Sequence, residues 1–211
     1  MKNAILAAAK ADAIPAGTSG LWSIQKLNQK MSTVIWRNKR PFVVPPGSYT
    51  ILRRMTESTL HMDGEVVMED TPIELVTHLQ FMLRARGNVL VTGLGLGCVV
   101  RGLLANPNVT HITCIENSVD VLKLVAPHMP TDRLEIVQAD ALEWTVQDKR
   151  PFDCAWHDLW TNQEAGEPHL DVWHVKMMIN CAGRVPVQGA WNLDRRAKAM
   201  VQRHFAPGSI I

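Results

Sequence analysis

The chain has 211 residues, 46% of them hydrophobic, and a net charge of only +2. That is enough apolar material for one sizeable core, and too small a charge to gather nucleic acid or anionic lipid through a general field. Cys98, Cys114, Cys154 and Cys181 show no C-x-x-C spacing; nothing in that pattern suggests a disulfide framework or zinc site, and we expect small buried thiols, no metal and a reducing, cytoplasmic setting.

Residues 1–46 are poor in pattern and broken by Pro15, Gly17, Gly20, Pro41, Pro45 and Pro46, so a partly ordered arm or lid is expected there. The first ten residues are too short an apolar run for a secretion signal, and no later stretch has the length to span a bilayer. Lys26, Lys30, Arg37, Lys39 and Arg40 make the segment locally basic, as a solvated face does. Between Ser48 and Met68, Asp63-Gly64 marks the turn of a hairpin joining residues 58–62 to 65–68.

Thr71-Pro72 fits a helix start, with threonine as cap and proline in the first turn. The helix over 73–84 would turn Ile73, Val76, Leu79 or Gln80, and Leu83 inward, with Phe81 and Met82 beside them. Strands follow at 88–92, 111–116, 134–139 and 152–157, alternating with helices at 97–105, 118–126, 141–146 and 170–181. A weaker strand near 185–188 and a helix near 194–204 complete the pattern. Strict βα alternation implies a doubly wound, mostly parallel α/β sheet with helices on both faces. We divide the chain into a 1–70 extension with a small β-hairpin and a 71–211 α/β domain that would hold the ligand site.

The chemistry concentrates at the ends of these strands. Gly93, Gly95 and Gly97 form a glycine turn from strand into helix, where a backbone without Cβ atoms turns sharply and approaches a ligand closely. Glu116 ends the next strand, placed to accept hydrogen bonds from a ribose diol. Dinucleotide enzymes usually space their third glycine three residues after the second, whereas here the spacing is G-x-G-x-G. Too little chain follows Asp158 for a second mononucleotide-binding half, which argues against NAD. Asp158 ends a strand beside the glycine-loop strand, in the crevice where ligands of such sheets bind. That makes it the choice for general base or cation anchor. His157, its neighbour, points the other way along the strand and is expected to be structural. Glu69 and Asp70 are candidates for binding a positively charged substrate, and Trp160 for covering it.

The order of glycine loop, Glu116 and then Asp140-Ala141 after the third strand resembles the S-adenosylmethionine-dependent methyltransferases of the Rossmann-like class. The resemblance implies that Gly93, Leu94, Gly95 and Gly97 lie under the methionine and ribose of S-adenosylmethionine. It places Glu116 and Asn117 at the ribose, Asp140 and Ala141 at the adenine, and Asp158 at the edge of the cofactor site. Two positions before the first glycine the family usually has an acid, and here stands Val91. From Leu60 through the Thr71-Pro72 helix start, the chain looks like guanidinoacetate methyltransferase and its relatives, and also like the spermidine synthase family. Spermidine synthases carry an aspartate inside the glycine loop, where this chain has Leu96, and a second acid after the fourth strand. Asp158-Leu159-Trp160 fits the methyltransferases better.

The resemblance therefore implies methyl transfer to a small amine or guanidine acceptor. Aminopropyl transfer, a non-catalytic module and a cofactor-cleaving protein are the alternatives. No membrane and no nucleic acid is expected as partner. Only about 20 residues follow Trp191, so the antiparallel pair that usually closes such sheets is expected to be missing. The shortened C-terminal edge would be left bare or covered by another chain, as in a homodimer.

Overall fold

The computed structural model describes residues 1–37, 40–55, 64–159, 170–191, 193 and 195–211. Its N-terminal part is far more regular than an arm. Helix α1 (Lys2–Ala8) is followed by β1 (Gly17–Ser19), β2 (Trp22–Gln29), β3 (Thr33–Arg37), β4 (Arg40–Val44), β5 (Gly47–Arg54) and β6 (Glu65–Glu69). Strands β1-β2-β5-β6 form an antiparallel sheet, and β3 and β4 form a separate two-stranded ribbon. The expectation of a partly ordered 1–46 is corrected for a physical reason. Only Ile24 of β2 is fully buried, so the strand has no apolar alternation to read. It is held instead by an eight-residue register with β5, from Trp22↔Arg54 to Gln29↔Gly47. Of the expected 58–68 hairpin, residues 56–63 lie outside the described residues, and β6 pairs with β5.

Helix α1 docks on α2 (Pro72–Arg84) and α3 (Cys98–Leu104). Ile5 and Ala9 are fully buried there, and a Cβ on Gly102 of α3 would meet both at 3.5 Å. A buried polar junction ties this region together. Asp70 accepts hydrogen bonds from the Ala11 N–H (2.9 Å) and the Thr50 N–H (2.8 Å), and pairs with Lys10 Nζ at 3.0 Å.

From α2 onward the chain is the expected α/β fold: β7 (Gly87–Thr92), α3, β8 (Val109–Glu116), α4 (Val119–Val125), β9 (Leu134–Gln138), α5 (Ala141–Gln147), β10 (Cys154–His157), α6 (Leu170–Cys181), β11 (Val187–Ala190) and α7 (Arg195–Gln202). The five strands are parallel in the order β11-β10-β7-β8-β9. Alternate residues of each strand face opposite helix layers. Val89 and Val91 join the core of α1, α2 and α3, whereas Leu90 packs with Ala141, Met177 and Cys181 of α5 and α6. Winding outward from β7 in both directions opens a crevice at the C-terminal ends of β7 and β10.

The sheet is short, as expected, but its edge is not bare. Residues 209–211 run beside β11, with the Gln188 N–H donating to the Ser209 carbonyl (2.8 Å) and the Ile211 N–H to the Gln188 carbonyl (2.9 Å). All four cysteines are buried and free. Among the described residues no helix is long and apolar enough to cross a membrane, and no group of His, Cys, Asp and Glu could hold a metal ion.

Candidate functional site

Strand β7 delivers the chain into the glycine loop at the mouth of the crevice. Gly93 (φ +93°) donates its N–H to the Ile115 carbonyl at 2.8 Å. A Cβ on it would lie 1.8 Å from the Asp158 carbonyl oxygen. The Asp158 N–H in turn donates to the Thr92 carbonyl at 2.8 Å, so the backbones of the loop and of Asp158 are locked together. Only glycine permits that approach. At Gly95 (φ +51°) the neighbour is Met68, whose Sδ would stand 2.7 Å from an added Cβ and accepts a hydrogen bond from the Leu96 N–H at 3.2 Å. Gly97, also left-handed, caps α3.

Glu116, almost wholly buried at the end of β8, staples this loop to the next turn. Its Oε2 accepts from the Leu94 N–H (2.9 Å) and its Oε1 from the Ser118 N–H (2.8 Å). Each oxygen keeps a second lone pair. Asn117 follows it at the surface. The Ala139 N–H donates to the Glu116 carbonyl at 3.1 Å, which sets Asp140 one residue further on. Exposed Asp140 caps α5 through Oδ1, accepting from Leu142 and Glu143 N–H groups, and Ala141 opens the helix. The structure therefore gathers the glycine loop, Glu116, Asp140 and Asp158 on one rim of the sheet.

The substrate candidates fare differently. Asp70 has no exposed surface, and its carboxylate is taken up by Ala11, Thr50 and Lys10. Its work is to join the N-terminal sheet to α2, and we correct the substrate assignment accordingly. Glu69 accepts the Thr71 hydroxyl at 2.8 Å, beside the N-cap of α2. Trp160 lies outside the described residues.

Two residues absent from the sequence reading complete the rim. Helix α2 is capped by Thr71 with Pro72 in its first turn and buries Leu79, Phe81 and Met82, all as expected, but its buried face is rotated to take in Glu74, Leu75 and His78 as well. Val76 is exposed, while Glu74, Leu75, His78, Leu79, Phe81 and Met82 are buried. Glu74 and His78, one turn apart, bring a carboxylate and an imidazole to Asp158. His78 Nε2 lies 3.5 Å from Glu74 Oε1, and Nδ1 lies 3.9 Å from Asp158 Oδ2. The Trp156 ring meets His78 edge-on at 5.6 Å, and its indole N–H stands near the Asp158 carboxylate outside hydrogen-bonding geometry. All but 14% of the Asp158 side chain is covered. Burial pushes its carboxyl up to about 6, with Glu74 adding to the rise and His78 and Trp156 opposing it. The group is thus ionised at neutral pH yet within reach of protonation.

His157 is structural, as the strand alternation implies. Fully buried, it bonds Thr92 Oγ1 through Nδ1 and Gln188 Oε1 through Nε2, each at 3.0 Å. Burial holds it neutral, its pKa lowered to about 4.

No protein-family model and no curated protein matches the chain. Among solved structures it is similar to a spermidine synthase in complex with the transition state analogue AdoDATO, at 18% identity and a TM-score of 0.55, over 91% of this chain and 64% of that one. It is also similar to the spermidine synthase from Thermotoga maritima (18% identity, TM-score 0.46, 82% of this chain and 52% of that one). A putative SAM-dependent methyltransferase from Streptococcus mutans is a third (11%, 0.46, 84% and 47%). The chain spans between about half and two thirds of the length of these proteins. At these identities the likeness shows the fold.

Proposed function

We propose that this chain, with the Rossmann-like fold of the S-adenosylmethionine-dependent methyltransferase superfamily, is a transferase that methylates a small amine or guanidine acceptor. The observation that carries the reading is Asp158. Its backbone is fixed against Gly93, and its largely covered carboxyl, raised to about 6 by burial, sits at the strand end beside the glycine loop.

The residues fit a nucleoside cofactor at its sugar and base end. Glu116 is oriented by two backbone N–H groups and keeps one lone pair per oxygen, as a ribose diol requires. Asp140 is exposed, and among the described residues its Oδ2 accepts no hydrogen bond, which leaves it for the exocyclic amine of adenine. At the other end, Val91 is fully buried, so an ammonium there must look to other groups. S-adenosylmethionine, when bound, supplies an electrophilic methyl. The chain's own contribution is positioning and proton removal. Asp158 holds the protonated acceptor nitrogen by charge, then takes the proton that the nitrogen must lose.

Aminopropyl transfer is the second reading, favoured by the likeness to spermidine synthase over 91% of the chain, a span that reaches into the N-terminal sheet. One titration separates them. Thermal melting with S-adenosylmethionine or its decarboxylated form ranks the two ligands, since a ligand at 100 times its Kd stabilises by about 2.7 kcal/mol, or roughly 5–10 °C here. A larger shift with the parent cofactor and formation of S-adenosylhomocysteine support methyl transfer. A larger shift with the decarboxylated form and release of methylthioadenosine support the second reading, and no shift with either removes both.

A further inference from the structure

The small net charge of the chain conceals a segregation along it. Between Asp12 and Glu57 stand seven lysines and arginines and no acid. Three of the seven are engaged within the N-terminal sheet. Lys26 Nζ donates to the Ala11 carbonyl and the Thr50 hydroxyl, Arg53 donates to the Gly64 carbonyl, and Arg54 lies over the Trp22 ring. The other four, Lys30, Arg37, Lys39 and Arg40, fall in one short stretch, the β3–β4 ribbon with the residues that lead into it and its turn.

That ribbon is also where apolar side chains meet solvent. The register sets Val34 opposite Val43, and they are 55% and 60% exposed; Met31, two residues ahead of β3, is 78% exposed. The next cross-strand pair in the same alternation is Trp36↔Pro41. Val44, on the other alternation, is buried, so one face of the ribbon turns to the body and the other to solvent. Among the described residues β3 and β4 pair only with each other, and a two-stranded ribbon by itself is marginally stable in water. At its turn end the register pairs Arg37 with Arg40, and like charges directly opposite are destabilising. An anion laid against that end relieves the repulsion.

We propose that the β3–β4 ribbon docks on an anionic lipid surface, with Met31, Val34 and Val43 entering the headgroup boundary and Lys30, Arg37, Lys39 and Arg40 drawn to the lipid charge. The occupant has to meet both chemistries at once. A second copy laid ribbon to ribbon would cover the valines but bring two basic, acid-free segments together, which like-charge repulsion opposes. A nucleic acid would answer the basic residues and leave the valines in water. A stable protein interface buries about 1,200 Å² or more, whereas strands of five residues each present one narrow apolar face. An anionic bilayer asks for no matching shape. Its boundary buries the apolar side chains, and each Lys or Arg near it adds roughly fivefold in affinity. The inference goes beyond the transferase reading and does not rest on it.

Co-sedimentation of the full chain with vesicles tests it, comparing phosphatidylcholine alone with a roughly 2:1 mixture of phosphatidylcholine and phosphatidylserine. The wild type should bind the mixed vesicles at least about tenfold more tightly, and lose that preference in about 1 M salt, where charges are screened within about 3 Å. Arg37→Gln with Arg40→Gln should weaken binding about 25-fold. Val34→Thr with Val43→Thr, which keeps strand propensity and removes apolar surface, should weaken it about tenfold. None of the four belongs to the glycine loop or to the strand ends around Asp158, so melting with and without S-adenosylmethionine should match the wild type and report that both variants are folded. Equal binding to the two vesicles, no binding to either, or variants that sediment like the wild type would overturn the inference. It fails equally if a uridine oligonucleotide binds more tightly than the mixed vesicles and the valine substitutions leave that unchanged, which makes the surface a nucleic-acid site. A dimer that the valine substitutions dissolve, with vesicles unbound, makes it a protein contact and also overturns it. Loss of the transferase reading leaves every one of these outcomes as it stands.

Discussion

Replacing Asp158 by asparagine should stabilise the protein while abolishing transfer, and the pH dependence of the gain is specified by the burial of the carboxyl. Its pKa rises from 3.8 to about 6 in the fold, about two units, and each unit corresponds to about 1.36 kcal/mol. The sign follows from the direction. A carboxyl raised on folding favours the fold when protonated, so the stability it contributes is complete below 3.8 and is lost as pH rises through about 6. At pH 8 the ionised group therefore costs about 2–3 kcal/mol, and Asp158→Asn, which keeps the shape without the charge, should recover most of it. For a chain of this length that is a Tm increase of roughly 5–10 °C. Near pH 4 the two proteins should melt within a degree or two of each other. Melting curves of both at pH 4, 5, 6, 7 and 8 give the difference directly, and other titrating groups cancel in it. The reasoning fails if the variant melts at or below the wild type at pH 8, or if the gap is the same at pH 5 as at pH 8.

His157 titrates with the opposite sign: neutral in the fold with a pKa of about 4, it contributes stability above 6.5 that is lost as pH falls through about 4. Acid unfolding of His157→Gln should accordingly be shallower than that of the wild type over this window. Gly93→Ala, which drives a Cβ into the Asp158 carbonyl, should cost more than about 4 kcal/mol by denaturant titration. Gly95→Ala meets the movable end of Met68 and should cost about 1–2 kcal/mol, the left-handed backbone term. Asp70→Asn breaks the pair with Lys10 and should cost about 3 kcal/mol by denaturant titration. Glu116→Gln keeps one acceptor oxygen, and should weaken S-adenosylmethionine about tenfold or more in calorimetry while costing about 1–2 kcal/mol of stability.

The parallel half of the fold was legible because its signals are local. Strands buried on both faces are short continuous apolar runs, as at Val89-Leu90-Val91, and the loops between them carry glycine and capping residues. Thr71-Pro72 marked the start of α2 and the Gly93 turn the end of β7 for the same reason. Of the N-terminal sheet the strand at 65–68 was legible and is β6, whereas β2 was not, since it buries only Ile24 and depends on partners far along the chain, as Trp22 does on Arg54. Asp70 failed for a related reason. An acid before a helix looks solvent-facing until Ala11 and Thr50 are known to reach it.

Glu74 and His78 escaped the sequence for a reason that bears on what they do. An acid and a histidine one turn apart lie outside any apolar stripe, so the pattern through Ile73, Val76, Leu79 and Leu83 passed over them while still including the buried Leu79, Phe81 and Met82. The helix instead buries the polar pair and exposes Val76. Packing alone does not account for that choice, because apolar residues of similar volume at these two positions would be as stable or more so. A position that departs from the pattern of its own helix has to be accounted for by what it faces. What these two face is Asp158, a carboxylate whose own backbone is fastened against the glycine loop, and they bear on its ionisation in opposed directions.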